Sequence, residues 1–217
     1  MRRQLVVGLG NYTFPNTRHS VGSMALDYLV ETMIGPGAWT FDGRLNGWIA
    51  HGQLNGPQTE SFKKLLSGPS FLEALRLEPA SIGEANVVFY KAKTLMNISG
   101  PSVMKAARSL SVPLSDMIVV HDDLERKLGQ LSTKLSGSAN GHNGIRSIAD
   151  TARSLEFKRI RIGIGRPANK DQDVAQYVLS PFAPDEKVVL ADDVFARKLK
   201  SMLVDLLWTR MGEQESQ

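Results

Sequence analysis

The sequence predicts one α/β domain, in which helices flank a twisted, mixed and mostly parallel sheet. The chain has 217 residues, of which 42% are hydrophobic, so it can bury a sizeable core without disulfides or metals. Short apolar runs alternate along it with segments of helical periodicity. This alternation favours a largely parallel sheet, whose functional groups gather on loops at the carboxyl ends of the strands.

The first part of the chain predicts a strand, a helix and two further strands. The apolar run 4–10 is typical of a core strand, and apolar residues at helical spacing predict a helix over 21–34. The runs 48–54 and 87–90 are typical of buried strands. The Gly/Pro/Ser-containing stretch 52–83 breaks this rhythm, and we interpret it as a surface insertion with one short helix at 71–77.

The rest of the chain continues the alternation. We predict a helix over 99–110, strands at 117–120 and 131–135, a helix over 144–155, a strand at 159–164 and an amphipathic helix over 195–206. Ser99 is expected to cap the first of these helices. The period-two pattern of the last strand predicts a half-buried strand with arginines on one face. The domain is expected to span 1–212, followed by a frayed end at 213–217.

Composition excludes several classes of protein. The chain has no cysteine, which excludes thiol catalysis, cysteine-ligated metal sites and disulfides, and fits a reducing compartment. The apolar run after Arg3 is too short for a signal peptide or a membrane span. We therefore expect no membrane association and a cytoplasmic protein, with the mitochondrion as the alternative compartment.

Positive charge is concentrated in one part of the chain. The formal net charge is +4, but the segment 126–170 holds ten Lys and Arg residues against Asp150 and Glu156. Such a segment predicts a polyanionic partner. Solvated surface charge is the alternative interpretation.

His19 is the histidine best placed for chemistry. It lies in a loop between the first strand and the first helix, where an imidazole can face a substrate. The strand exit Gly8-Leu9-Gly10-Asn11 brings the amide of Asn11 to the same edge of the sheet. The two glycines lack the third glycine and the acidic residue of a dinucleotide-binding fingerprint, so that interpretation is set aside.

The second chemical group is a carboxylate. Asp122 and Asp123 follow His121 at the end of an apolar strand, and one of them could orient a histidine from another loop. A metal-binding pair or a turn is the alternative. No clear set of further ligands accompanies the two carboxylates.

Amide side chains and a glycine-rich loop complete the set of candidate functional groups. Asn97 lies at another junction between a strand and a helix, and 137–144 forms a glycine-rich loop before a helix, typical of an anion site or of a flexible connector. One histidine, one carboxylate and three amides, those of Asn11, Asn97 and Asn143, suit ester hydrolysis by activated water. The Gly-x-Ser-x-Gly motif of covalent serine hydrolases is missing.

Ordered blocks of the sequence resemble the bacterial-type peptidyl-tRNA hydrolase family from residue 4 to about residue 180. They are Val7-Gly8-Leu9-Gly10-Asn11, Thr17-Arg18-His19, Lys93-Thr94-Leu95-Met96-Asn97-Ile98-Ser99-Gly100, His121-Asp122-Asp123-Leu124, Gly141-His142-Asn143-Gly144 and Arg161-Ile162-Gly163-Ile164-Gly165-Arg166-Pro167. Ser20 replaces the usual asparagine after the histidine, and Phe14 replaces a common tyrosine. The insertion suggests a eukaryotic, fungal-like member.

The resemblance implies a monomeric enzyme that cleaves the ester between a peptide and the 3′ end of tRNA without a metal or a cofactor. It assigns the base to His19 and its partner acid to Asp122. The substrate-binding positions it implies are Asn11, Phe14, Met96, Asn97 and Asn143. The contacts to tRNA phosphates fall on Lys134, Arg161 and Lys170, inside the basic segment.

Two other functions stay open at this point. A hydrolase-derived RNA-binding or splicing factor would keep the fold without catalysis, but it would have no reason to retain His19, Asp122, Asn11 and Asn97 together. A metallohydrolase using Asp122 and Asp123 would lose activity with a chelator.

Overall fold

The structure is a computed structural model that describes residues 3–55, 84–169 and 171–209. Seven strands form one sheet: β1 (Arg3–Gly8), β2 (Thr40–Asp42), β3 (Gly47–Asn55), β4 (Glu84–Ala92), β5 (Met117–Asp123), β6 (Leu131–Lys134) and β7 (Lys158–Gly163). In the described ranges there are six α-helices: α1 (Val21–Met33), α2 (Ser99–Ser109), α3 (Asn143–Ala152), α4 (Val174–Val178), α5 (Pro184–Leu190) and α6 (Asp193–Trp208).

The sheet has the strand order β2-β3-β4-β1-β5-β7-β6. Its centre is parallel, since β1 pairs with both β4 and β5, and β5 pairs with β7. The pairs β2 with β3, β3 with β4, and β6 with β7 are antiparallel. The predicted α/β fold with a mixed sheet is confirmed. The parallel pairs do not outnumber the antiparallel ones as predicted, because neighbouring strands turn back on each other toward both edges of the sheet.

Helices cover both faces of the parallel centre. On one face, Leu26 and Leu29 of α1 and Leu199 and Leu203 of α6 pack in a core with the strands. On the other face, α2 and α3 contribute residues such as Val103 to a second core. Burial on both faces explains why the central strands are continuous apolar runs, and it directs functional groups to the strand ends.

Most predicted elements are present, with local corrections. Ser99 does not cap α2: the capping position is Ile98, and the Ser99 hydroxyl donates to the carbonyl of Met96. The strand β7 is buried rather than half-buried, and Arg159 is 1% exposed. The hydrophobic periodicity of the sequence did not predict β2, α4 and α5. These elements are too short to show the period of a strand or of a helix. Residues 56–83 of the predicted insertion, Lys170 and residues 210–217 lie outside the described residues.

One cation of the basic segment, Lys158, serves the fold. Lys158 is fully buried, and its Nζ donates to the carbonyls of Leu206 and Thr209, 2.8 and 2.6 Å away, at the C-terminal end of α6. Such contacts satisfy carbonyls that have no partner within the helix.

No helix in the described ranges has the length and apolar character needed to cross a membrane.

Candidate active site

His19 lies in a 3₁₀ turn, Arg18–Ser20, that leads directly into α1. Its Nδ1 lies 2.9 Å from both carboxylate oxygens of Asp122, at the end of β5. Gly22 makes this approach feasible, because a Cβ atom there would lie 2.2 Å from the carbonyl oxygen of Val120. A glycine in the first turn of α1 therefore lets the histidine reach the neighbouring strand.

Asp122 is 3% exposed and stays ionised. Burial acts to raise the pKa of its carboxyl, but His142 and His19 offset that effect by charge and hydrogen bonding, so the pKa lies well below its ordinary value. An ionised carboxylate only accepts hydrogen bonds, so Nδ1 of His19 must carry a proton and donate it to Asp122. The expected pairing of histidine and carboxylate is present in the structure.

A second histidine holds the same carboxylate. Nε2 of His142 lies 2.8 Å from Oδ1 of Asp122, while its Nδ1 accepts from the backbone N–H groups of Gly144 and Ile145, 3.1 and 3.2 Å away. His142 is thus the N-cap of α3, and its tautomer is fixed with the proton on Nε2. The sequence carries no recognisable signal for this role, since histidine is not a usual capping residue.

His121 has a different environment. Its Nδ1 donates to the carbonyl of Asp122 at 2.7 Å, and its buried Nε2 has no hydrogen-bond partner among the described residues. Burial and the nearby His142 hold the pKa of His121 well below its ordinary value. The ring is therefore neutral and is less suited than His19 to take up a proton.

The cleft above this group has a volume of about 610 Å³. Its walls include every residue assigned above to catalysis or substrate binding: His19, Asp122, Asn11, Phe14, Met96, Asn97 and Asn143. Met96 is buried, whereas Phe14, Asn97 and Asn143 are exposed at the cleft. The structure therefore brings together on one cleft residues that are up to 132 positions apart in the sequence.

The side chain of Asn11 is oriented by a backbone group. Its Oδ1 accepts from the N–H of Met96 at 2.7 Å, so its Nδ2 remains as a donor at the cleft. Ser20 fixes the same loop: its hydroxyl accepts from the N–H of Asn11 at 2.9 Å and donates to the carbonyl of Phe14 at 2.8 Å. The serine thus makes two specific contacts that order the loop carrying Asn11.

Arg18, next to the histidine, joins the site to the segment after α4. Its Nη1 donates to the Ser180 hydroxyl at 2.6 Å and to the Pro181 carbonyl at 2.7 Å, and its Nη2 pairs with Glu186 at 2.6 Å. The guanidinium also lies 4.4 Å from the ring centroid of Tyr177. Residues of α4, including Val178, line the cleft, so Arg18 connects one cleft wall to the turn that carries His19.

The basic residues near the cleft are partly engaged in contacts within the protein. Nζ of Lys134 donates to the carbonyl of Ser138 at 3.0 Å, and Arg161 lies 3.5 Å from Asp123. Burial, followed by Arg159 and Arg161, lowers the pKa of Lys134. The Arg159 guanidinium donates to carbonyls of the glycine-rich loop, including that of Ser138 at 2.9 Å. Lys170 lies outside the described residues.

The carboxylates do not form the metal pair considered above. Asp123 follows Asp122 on a strand, where successive side chains point to opposite faces, and its Oδ2 pairs with Arg126 at 3.3 Å and Arg161 at 3.5 Å. A different set, His19, Asp122 and His142, places one ligand atom each within 4.8 Å of the others and could hold a metal ion. The hydrogen bonds described above already account for the orientation of these three groups.

The chain is similar in sequence to proteins of one known family. A family model described as peptidyl-tRNA hydrolase matches residues 5–215. A probable peptidyl-tRNA hydrolase of Mus musculus is 34% identical over 190 residues, which cover 88% of this chain and 79% of that protein. A peptidyl-tRNA hydrolase of Aquifex aeolicus is 37% identical over 190 residues, which cover 87% of this chain and 82% of that protein.

A solved structure shows the same fold. The crystal structure of peptidyl-tRNA hydrolase from Acinetobacter baumannii matches with a TM-score of 0.67 and 24% identity, and the match covers 94% of this chain and 92% of that one. The family suggested by the ordered motifs is confirmed by the family model and by both relatives. The chain belongs to the peptidyl-tRNA hydrolase family.

Proposed function

We propose that this peptidyl-tRNA hydrolase cleaves the ester between a peptide and the 3′ end of tRNA with His19 as the general base toward water. The observation that carries the proposal is the 2.9 Å contact between Nδ1 of His19 and Asp122 at the cleft. With the proton held on Nδ1, Nε2 has the lone pair that a base needs. Asp122 therefore orients the ring and stabilises its protonated form during the reaction.

The reaction has two steps in this scheme. Nε2 of His19 takes a proton from water while the water oxygen bonds to the ester carbonyl carbon, which gives a tetrahedral intermediate. The bond from this carbon to the 3′ oxygen of the terminal ribose then breaks, and His19 returns its proton to that oxygen. The products are a peptide with a free carboxyl group and tRNA with a free 3′ hydroxyl.

Amide groups supply the polar contacts that the intermediate needs. The Nδ2 donor of Asn11 is held by the bond from the Met96 N–H to Oδ1, and a preoriented donor stabilises developing negative charge on the carbonyl oxygen. Asn97 and Asn143 are exposed on the cleft and bind the water or the peptide. Met96 and Phe14 offer apolar surface to the peptide.

The tRNA binds on the side of the cleft formed by β7 and β6. Lys134 and Arg161 lie on these two strands, and Lys170 follows in the sequence. Arginine and lysine side chains contact phosphates and contribute affinity that falls with salt. The contacts of Lys134 to Ser138 and of Arg161 to Asp123 hold both cations in place before tRNA arrives.

A hydrolase-derived RNA-binding factor without catalysis fits the site less well. Such a factor needs the basic residues but not an imidazole oriented by a buried carboxylate. His19, Asp122, Asn11 and Asn97 are all retained and all line one cleft. This arrangement supports the hydrolase.

We also propose that the enzyme acts as a monomer, since one chain carries the complete set of site residues on a single cleft.

The location of the enzyme follows from its substrate, because peptidyl-tRNA is produced by ribosomes. The cytoplasm is therefore the proposed location, and the mitochondrion is the alternative that cell fractionation would distinguish.

Release of the amino acid from N-acetyl-aminoacyl-tRNA tests the proposal. The purified protein should hydrolyse this substrate after treatment with EDTA. Activity that disappears with EDTA and returns with one divalent metal would instead support a metal-assisted reaction. Tight tRNA binding without any hydrolysis would support the binding factor.

A further inference from the structure

The protein exposes a cluster of aromatic side chains beside the cleft. The ring of Tyr12 stacks on that of Trp48, with centroids 5.5 Å apart and planes at 28°, and the ring of Phe41 lies 5.2 Å from Trp48. Tyr12 and Phe41 are each 46% exposed. We call Tyr12, Phe41, Trp48 and Lys93 the aromatic patch.

Lys93 adds one positive charge to the patch. Its Nζ lies 5.1 Å from the ring centroid of Tyr12 and 5.2 Å from that of Phe41, within the range of cation–π attraction. Its backbone N–H is fixed by the carbonyl of Asn46 at 2.8 Å. The patch thus combines aromatic faces with an exposed ammonium donor, a composition typical of binding surfaces rather than of solvated surface.

The patch adjoins the active-site cleft. Tyr12 follows the cleft residue Asn11 directly, and consecutive Cα atoms are about 3.8 Å apart. The N–H of Tyr12 donates to the carbonyl of Thr94 at 3.0 Å, which ties the loop after β1 to the segment that carries Met96. The aromatic patch and the cleft therefore share one continuous wall.

The order of the strands decides which half of the substrate can reach the patch. Asp122 lies at the end of β5, in the middle of the sheet, and His19 contacts it from the turn before α1. The basic residues proposed to bind tRNA lie on β7 and β6, on one side of this pair. Phe41 and Trp48 lie on β2 and β3, on the other side. In the substrate, the ester links the tRNA to the peptide. When the tRNA binds along β7 and β6 and the ester lies at His19, the peptide extends toward the aromatic patch.

The geometry points to the aromatic patch as a subsite for apolar and aromatic side chains of the peptide, several residues before the ester. The inference rests on the proposed function. The aromatic faces pack against the side chains, and the Lys93 ammonium donates to peptide carbonyls. RNA is the less suitable occupant, because the patch has one lysine for phosphates and Phe41 is followed by the carboxylate of Asp42.

Two substrates that share one tRNA and the same esterified residue test the subsite. One is N-acetyl-alanyl-tRNA, and the other carries an N-acetylated pentapeptide that ends in alanine and has phenylalanine and leucine at its distal positions. For Trp48→Ala and Tyr12→Ala we expect kcat/KM for the long substrate to fall about tenfold, while that for the short substrate stays within about twofold. Trp48→Phe should retain most of the preference for the long substrate.

The control is Tyr28→Ala, which removes an exposed aromatic side chain from α1. It should change neither value. An equal fall for both substrates, or no fall for the long one, would overturn the subsite. Weaker binding of uncharged tRNA by Trp48→Ala would overturn it in favour of an RNA contact. Failure of the wild-type protein to cleave either substrate would instead refute the proposed function, so the two failures are distinguishable.

Discussion

Nε2 of His142 lies 2.8 Å from Oδ1 of Asp122, the same oxygen that accepts from Nδ1 of His19. Two imidazoles therefore hold the carboxylate. The His142 ring is fixed because it caps α3, and the His19 ring keeps its Nε2 available for proton transfer. Because the His142 ring is held by the N-terminus of α3, we infer that it positions Asp122 and through it His19.

His142→Ala should lower kcat about tenfold and change KM little, because Asp122 would lose one donor and hold His19 less firmly. It should also destabilise the protein by about 1 kcal/mol through loss of the cap. Steady-state kinetics and urea unfolding measure the two effects. Asp192→Ala is the matched control, since it removes the cap of α6, where the side chain accepts from Val194. A similar loss of kcat in the control would show that the effect is only one of stability.

Arg18→Met should destabilise the protein by about 2 kcal/mol and raise KM, because it removes charge-assisted bonds between the His19 turn and residues 180–186. Arg18→Lys should restore little, since an ammonium cannot reproduce the planar set of donors. Chemical denaturation and kinetics with N-acetyl-aminoacyl-tRNA provide the readouts. Lys198→Ala, an exposed charge change on α6, serves as the control. Unchanged stability and KM in Arg18→Met would refute the connecting role.

Lys134→Ala and Arg161→Ala should each weaken tRNA binding and reduce the slope of log affinity against log salt by about 1. Filter binding of uncharged tRNA over a range of salt concentrations measures this slope. Lys198→Ala is again the control, and it should keep the wild-type slope. Slopes that match the wild type in both variants would mean that the two cations only support the glycine-rich loop and Asp123.

The unfolding free energy should fall as the pH drops below about 6.5, the ordinary pKa of histidine. Burial, with His142 nearby, lowers the pKa of His121, so the unfolded chain takes up a proton there that the folded protein does not. One such proton contributes a slope of up to about 1.4 kcal/mol per pH unit. His121→Phe should reduce the slope between pH 6.5 and 5, as followed by urea unfolding. An identical slope in the variant would contradict this assignment.

The sequence predicted the centre of the fold and site better than its surroundings. Continuous apolar runs predicted β1 and β5, and parallel strands end at one edge, so the approach of His19 to Asp122 could be expected. The role of His142 could not, because it depends on a histidine as the N-cap of α3 and on a tertiary contact from that cap to Asp122 of β5. A period-two pattern also shows nothing about what covers a strand, which is why the burial of Arg159 was missed.

The role of His19 as the base is tested by single-turnover hydrolysis by His19→Ala, measured beside the affinity of this variant for N-acetyl-aminoacyl-tRNA. We expect the rate to fall by about a hundredfold or more, because the base is lost, while the affinity for N-acetyl-aminoacyl-tRNA stays within about twofold of the wild type. A variant that binds normally and turns over at the wild-type rate would contradict the role of His19 as the base.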